Sequence, residues 1–307
     1  MTTLPTTPLL NPTSTSPLLH PQPHSLSSSI HSHLPILILI AGPPCSGKKS
    51  VLNALKSKLD SLSHGSLHIA ILHLRDFHVP AEDSGSSSSV GEKRDRDMEC
   101  LASYDLPLLV SVIKDLTARG AGAGGAKAPY YDIPSGTRSW GFVPLSGPGS
   151  TGGGGIIPEI ILCEGHYLLH PPLLSQTPPL SPTIIKIYSE TSPDVRLARR
   201  VLRDSSPPHC LPLDYIFDTY VRFGKPAAEV GITPTKVLAD IILPKGAEGP
   251  GVELIAHGVV DDLNMLGRGV KGRSKEKGVT LNPVGMGMAT TLKEADLRAG
   301  LAYYETV

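Results

Sequence analysis

Between Met1 and Gly47 the 307-residue chain carries no Asp, Glu, Lys or Arg. That absence argues against two kinds of leader. A mitochondrial presequence needs arginines, and a secretory signal needs a basic start and a longer apolar run. The stretch is rich in Pro, Ser, Thr and Leu instead, so residues 1–33 are expected to form a disordered tail. His20, His24, His31 and His33 inside it read as part of that polar tail and not as a metal cluster. Net charge is missing too: 28 basic residues balance 28 acidic ones, and nothing global points to nucleic acid or a membrane surface. The apolar run Ile36–Ala41 falls far short of the ~20 residues that span a bilayer. Cys45, Cys100, Cys163 and Cys210 lack any CxxC spacing, which leaves no zinc or disulfide framework and favours reduced thiols. There is no internal repeat and no hairpin signal.

What is present is an alternation of strand and helix patterns. Ile36–Ala41 reads as a buried strand, and Lys48–Leu62 as a helix with Val51, Leu52, Leu55, Leu59 and Leu62 on its apolar side. His68–Leu74 reads as a second strand, Leu106–Leu116 as a helix, and Ile156–Cys163 and Ile184–Tyr188 as two more strands. Helices are expected over Pro193–Asp204, Leu213–Phe223, Val252–Leu263 and, in the tail, near Leu292–Tyr303, with a short strand at Ala239–Leu243. The 31 glycines and 30 prolines cluster between these elements. They divide the chain into the tail 1–33, a folded unit 34–264 with low-complexity insertions at 82–96, 119–128, 143–155 and 170–182, and a flexible C-terminal tail 265–307. Alternating strands and helices predict a mainly parallel sheet covered on both faces.

The first strand runs straight into Gly42-Pro43-Pro44-Cys45-Ser46-Gly47-Lys48, the frame of a Walker A phosphate loop. Backbone amides of such a loop wrap a phosphate, the following helix adds its positive end, and Lys48 reaches the outer phosphate oxygens. Gly42 through Ser50 are therefore the candidate ATP-binding residues. Lys49 is off-pattern, because it stands where a hydroxyl that binds Mg²⁺ is expected. Glu164-Gly165 closes the third strand at the edge where ligands sit in parallel sheets. Glu164, with Ser50, is the candidate metal ligand. Arg196, Arg199, Arg200 and Arg203 lie along one helix, where arginines neutralise charge in phosphoryl transfer or simply form a solvated basic face.

The helix VRLARRVLRD (Val195–Asp204), the segment Tyr220-Val221-Arg222-Phe223-Gly224-Lys225-Pro226, and the run from Pro234-Thr235-Lys236 to Pro244-Lys245-Gly246 resemble uridine–cytidine kinases and their phosphoribulokinase-type relatives. With the loop, Glu164-Gly165 and Tyr131-Asp132, the resemblance spans roughly Leu34 to Leu263. It implies a P-loop NTPase fold, a three-layer α/β/α sandwich with a helical lid, and ATP and Mg²⁺ as cofactors. The implied activity moves a phosphoryl group to a hydroxyl of a small metabolite, by family a nucleoside. By the same resemblance Glu99 falls where a carboxylate meets ribose hydroxyls, Tyr131 packs beside the substrate, and Arg200 and Arg203 flank the transferred group. Asp76 stands nearest the general base, so Asp76, Lys48, Arg200 and Arg203 are the expected catalytic set, and Glu99, Tyr131 and Arg200 the expected substrate contacts. The expected partner is a small-molecule substrate with no nucleic acid and no membrane, in a cytoplasmic protein; the sequence leaves a homo-oligomer open.

Several positions depart from that family. Arg75 occupies the register of the general-base aspartate, with Asp76 one residue late. Lys49 replaces the loop hydroxyl, Pro208-His209-Cys210 replaces a lid Arg-Gly-Arg, and Gly136 and Thr219 stand where bases are recognised. Two readings therefore stay open: an active kinase, or a pseudokinase that binds nucleotide and acts as a regulatory or binding protein.

Overall fold

The computed structural model describes residues 34–80, 96–133, 135–149, 155–177, 181, 183–207 and 209–268. The N-terminal tail with its histidines, most of the 82–96 insertion, Pro208 and the helix expected over Leu292–Tyr303 lie outside them. In chain order the strands are β1 (Ile36–Ala41), β2 (Ile69–His73), β3 (Lys127–Asp132), β4 (Thr137–Phe142), β5 (Leu145–Ser146), β6 (Ile160–Gly165), β7 (Ile184–Ser189) and β8 (Ile241–Leu243). The helices are α1 (Lys48–Leu62), α2 (Leu106–Arg119), α3 (Pro171–Leu174), α4 (Pro193–Ser205), α5 (Leu213–Thr219) and α6 (Gly251–Met265).

All six residues of β1 are buried, because this strand is central in a sheet ordered β5-β2-β6-β1-β7-β8. It pairs in parallel with β6 on one side and β7 on the other. Side chains of a strand alternate between faces. Ile36, Ile38 and Ile40 accordingly pack with Val51, Leu52, Leu55 and Leu59 of α1 and with Val252, Ile255, Val259 and Leu263 of α6. Leu37, Leu39 and Ala41 pack on the opposite face with Leu109, Val112, Ile113 and Leu116 of α2. Burying each such side chain contributes roughly 1.5–3 kcal/mol, and the two faces together make the three-layer α/β/α sandwich. The sheet is mixed only at its edge, where β5 runs antiparallel to β2.

The expectation of no hairpin is corrected: β3 and β4 form an antiparallel pair in register from Lys127↔Phe142 to Asp132↔Thr137. Its signal is weak in sequence because Pro129 and Gly141 interrupt the two runs and most of β4 is exposed, so no clean apolar alternation appears. Gly136, with φ of 69°, makes the turn. Within the 119–128 segment, Ala121 bridges to Ile156 and β3 already begins at Lys127, and this bridge keeps Ile156 out of β6. The helix expected over Leu213–Phe223 stops at Thr219 and widens into π-type turns at Tyr220–Gly224 and Ala227–Ile232. Pro226, which has no N–H to donate, lies between them.

Candidate phosphoryl-transfer site

The parallel strands end together, so Ala41, His73, Gly165 and Ser189 share one edge of the sheet. The loop from Gly42 to Gly47 leaves β1 there and turns back into α1. Gly42 (φ 149°) passes so close to β7 that a Cβ would lie 2.4 Å from the Ser189 carbonyl oxygen. The loop is tied down from outside: Ser189 Oγ and Thr191 Oγ1 donate to the Ser46 carbonyl at 2.8 and 3.1 Å, and Arg199 Nη1 donates to that of Cys45 at 3.3 Å. Cys45 itself is held at φ 60°, a conformation that costs a side-chain-bearing residue energy and persists only under such restraint. Pro43, Pro44 and Ser46 are buried, and Ser46 Oγ has no hydrogen-bond partner among the described residues.

Lys48 begins α1 and is 6% exposed, its Nζ donating to the Pro43 carbonyl at 2.8 Å. Burial pulls its pKa from 10.5 down to about 8, against the opposing pull of Glu164. A phosphate would restore the higher value, so nucleotide binding takes up a proton above pH 8 and weakens as pH rises. Titration calorimetry should find ATP affinity about tenfold lower at pH 9 than at pH 7, the fall in the protonated fraction of a group with pKa near 8.

Glu164 is buried beside this lysine. The β2–β6 register sets His73 opposite it, and His73 Nδ1 lies 2.9 Å from Glu164 Oε1. Burial alone would raise the Glu164 carboxyl; the His73 hydrogen bond and the Lys48 charge outweigh that and hold it below the usual carboxylate range. The next turn, a 3₁₀ segment Leu74–Phe77, orients the two candidate base positions. Arg75 swings out, its side chain 59% exposed, while Asp76 turns in at 17% and meets the backbone of Tyr131. The tight turn thus sets Asp76 inward and Arg75 outward. Burial raises the Asp76 pKa.

The other expected site residues make contacts of their own. Glu99 and Arg200 form an ion pair, with Arg200 Nη2 also donating to Thr219 Oγ1 of α5 at 3.4 Å. Arg203 pairs with Asp204. Tyr131 is buried and packs on His78, which stacks on Tyr104; the Tyr104 hydroxyl lies 3.0 Å from His166 Nδ1. Arg138 joins Asp105, 3.5 Å away, to the His78 carbonyl at 2.6 Å. His73, His166, Arg138 and the loop contact of Arg199 were not among the expected site residues. Of these only His166 carries a sequence signal, two residues beyond the strand-ending Glu164.

The loop, the helix start and Lys48 fit the phosphates of ATP. For Mg²⁺ the fit is narrower. Lys49 is exposed, Ser50 is half-buried on α1, and among the described residues no group of three His, Cys, Asp or Glu converges on one point. Glu164 would hold the ion through water, in keeping with the few carboxylates and several waters Mg²⁺ accepts beside phosphates.

No family model matches the chain. Uridine-cytidine kinase 2-B of Danio rerio is 26% identical over 233 residues, 75% of this chain and 81% of that protein. Uridine kinase of Bacillus mycoides is 27% identical over 214 residues, 70% of this chain and 87% of that one. The chain is thus similar to uridine and uridine–cytidine kinases over most of its folded residues. A solved structure described as a possible uridine kinase from Bacillus stearothermophilus is 16% identical, with a TM-score of 0.37, over 68% of this chain and 88% of that one. No helix among the described residues is long and apolar enough to cross a membrane.

Proposed function

We propose that the chain catalyses ATP-dependent phosphoryl transfer to a hydroxyl of a small metabolite. The observation that carries this is the series Lys48, Glu164, His73 and Asp76 along one sheet edge, which joins a buried lysine to a half-buried carboxylate of raised basicity. Asp76 takes the proton of the acceptor hydroxyl. Lys48 and Arg203 stabilise charge on the transferring group, while Glu99, Tyr131 and Arg200 line the acceptor. ATP supplies the phosphoryl group, and the kinship makes a nucleoside the default acceptor.

Purified protein with ATP and Mg²⁺ tested on uridine, cytidine, nicotinamide riboside and glycerate should release ADP with at least one of them. Asp76→Asn should lower that turnover by about 10²–10⁴-fold, the usual worth of a general base, with nucleotide affinity unchanged. A specific observation favours a second reading, a nucleotide-binding regulator: Lys49 is exposed and brings no hydroxyl to the metal. Tight ATP binding without turnover of any acceptor would establish that reading, and a gain of turnover in Lys49→Thr would trace the defect to the loop.

A further inference from the structure

His166 stands two residues past Glu164, just where β6 has ended, and has no part in the phosphotransfer step described above. Its ring meets that of Tyr104 edge-on at 87°, with Nδ1 3.0 Å from the phenolic oxygen. Tyr104 is held firmly in place. It is 7% exposed, its ring stacks on His78 at 4.3 Å, and its backbone bridges to that of His78.

The phenol sets the direction of this hydrogen bond. Burial raises the Tyr104 pKa, so the hydroxyl keeps its proton. A buried hydroxyl needs an acceptor, and among the described residues His166 Nδ1 is its hydrogen-bond partner. Tyr104 therefore donates and Nδ1 accepts. A neutral imidazole that accepts at Nδ1 carries its proton at Nε2. Burial, with the charges of Lys48, Arg203 and Arg200 adding to it, holds the ring's pKa well below the ordinary histidine value, so the ring stays neutral. Its Nε2–H has no hydrogen-bond partner among the described residues. The same three cations locate the ring: Lys48 follows the phosphate loop, and Arg200 and Arg203 belong to α4. A free N–H among three cations suits an anion.

We infer that His166 is a further residue of the phosphate site, its Nε2–H donating to an oxygen of the γ-phosphoryl group of ATP while Tyr104 fixes the tautomer. The inference rests on the nucleotide-binding part of the function proposed above and adds a γ-phosphoryl contact to it. Lys48 contributes charge, which fades as it loses its proton near pH 8. His166 contributes a directed neutral donor, and that contribution is the same on either side of pH 8.

Calorimetry on the full chain compares ATP with ADP, which lacks the γ-phosphoryl group and so reports on folding and on the rest of the loop. His166→Asn keeps an acceptor for Tyr104 but stops short of the Nε2 position. It should raise the Kd for ATP by about tenfold and leave that for ADP unchanged, the worth of one hydrogen bond to a charged group. His166→Phe, which keeps the ring and removes the donor, should show the same selective loss. His166→Gln, whose amide N–H reaches as far as Nε2, should restore most of the ATP affinity. Tyr104→Phe releases the tautomer and should raise the Kd for ATP by about threefold, again without touching ADP. The loss in His166→Asn should be equal at pH 7 and pH 9. ATP affinity that survives both Asn and Phe, losses shared equally by ADP in both, or a loss that glutamine does not rescue overturns the inference and leaves the kinase reading standing. An ATP-selective loss in a protein that releases ADP with no acceptor upholds the contact and overturns the kinase reading. A wild-type chain that binds neither nucleotide overturns both.

Discussion

Lys48→Met is expected to lower phosphoryl transfer by about 10²–10³-fold, the effect of deleting one preorganised donor to developing charge. The aliphatic stem is preserved, so the loss is electrostatic. The buried ammonium of Lys48 is the cation inside the loop, and its opposing charge helps hold Glu164 ionised in a buried position. The same variant should melt close to the wild-type temperature, because burial already disfavours the charged lysine and its removal relieves that cost. The Glu164 carboxyl should shift upward once the cation is gone, visible as an upfield-to-downfield titration of its side-chain carbon by NMR. An enzyme that retained most of its turnover after this substitution would not use the loop as a phosphate site.

Gly165→Ala should destabilise the protein by roughly 1–3 kcal/mol and lower its melting temperature by about 2–4 °C for each of them. The reason is space and not backbone conformation. A Cβ at Gly165 would lie 2.3 Å from Leu74 Cβ, and that atom cannot swing away because it is fixed to its own backbone. Leu74 opens the 3₁₀ turn that aims Asp76 inward, so the shove that costs stability also displaces the proposed base, and turnover should fall more than nucleotide affinity. Gly258→Ala provides the contrast. This glycine lies in α6 with nothing within 4 Å of the Cβ position, and alanine there should stabilise by about 0.5–1 kcal/mol. Thermal melts of the two variants, one down and one up, separate local crowding from glycine loss in general.

Much of the scaffold was legible along the chain. The uninterrupted apolar run Ile36–Ala41 could only be a central strand, and the 3.6-residue spacing of Val51, Leu55 and Leu59 could only be the face of a helix packed on it. The hairpin was not, because a half-exposed strand broken by Pro129 and Gly141 has no alternation to read. In the site, Lys48 was visible because a glycine precedes it at the start of a helix, and Glu164 because a glycine follows it at the end of a strand. His73 was not, because its role comes from standing in register with Glu164, 91 residues away.

Local chemistry therefore determined the parallel sheet, the phosphate loop and the list of charged residues that reach the sheet edge, since strand burial, helix periodicity and loop glycines act over a few neighbouring residues. Tertiary structure decided which of those residues meet. A 3₁₀ turn aimed Asp76 inward and Arg75 outward, strand register joined His73 to Glu164, and the packing of α4 put Arg199 on the loop while committing Arg200 to Glu99. Those choices depend on contacts between segments far apart in the chain, and no local pattern encodes which partner a side chain will find.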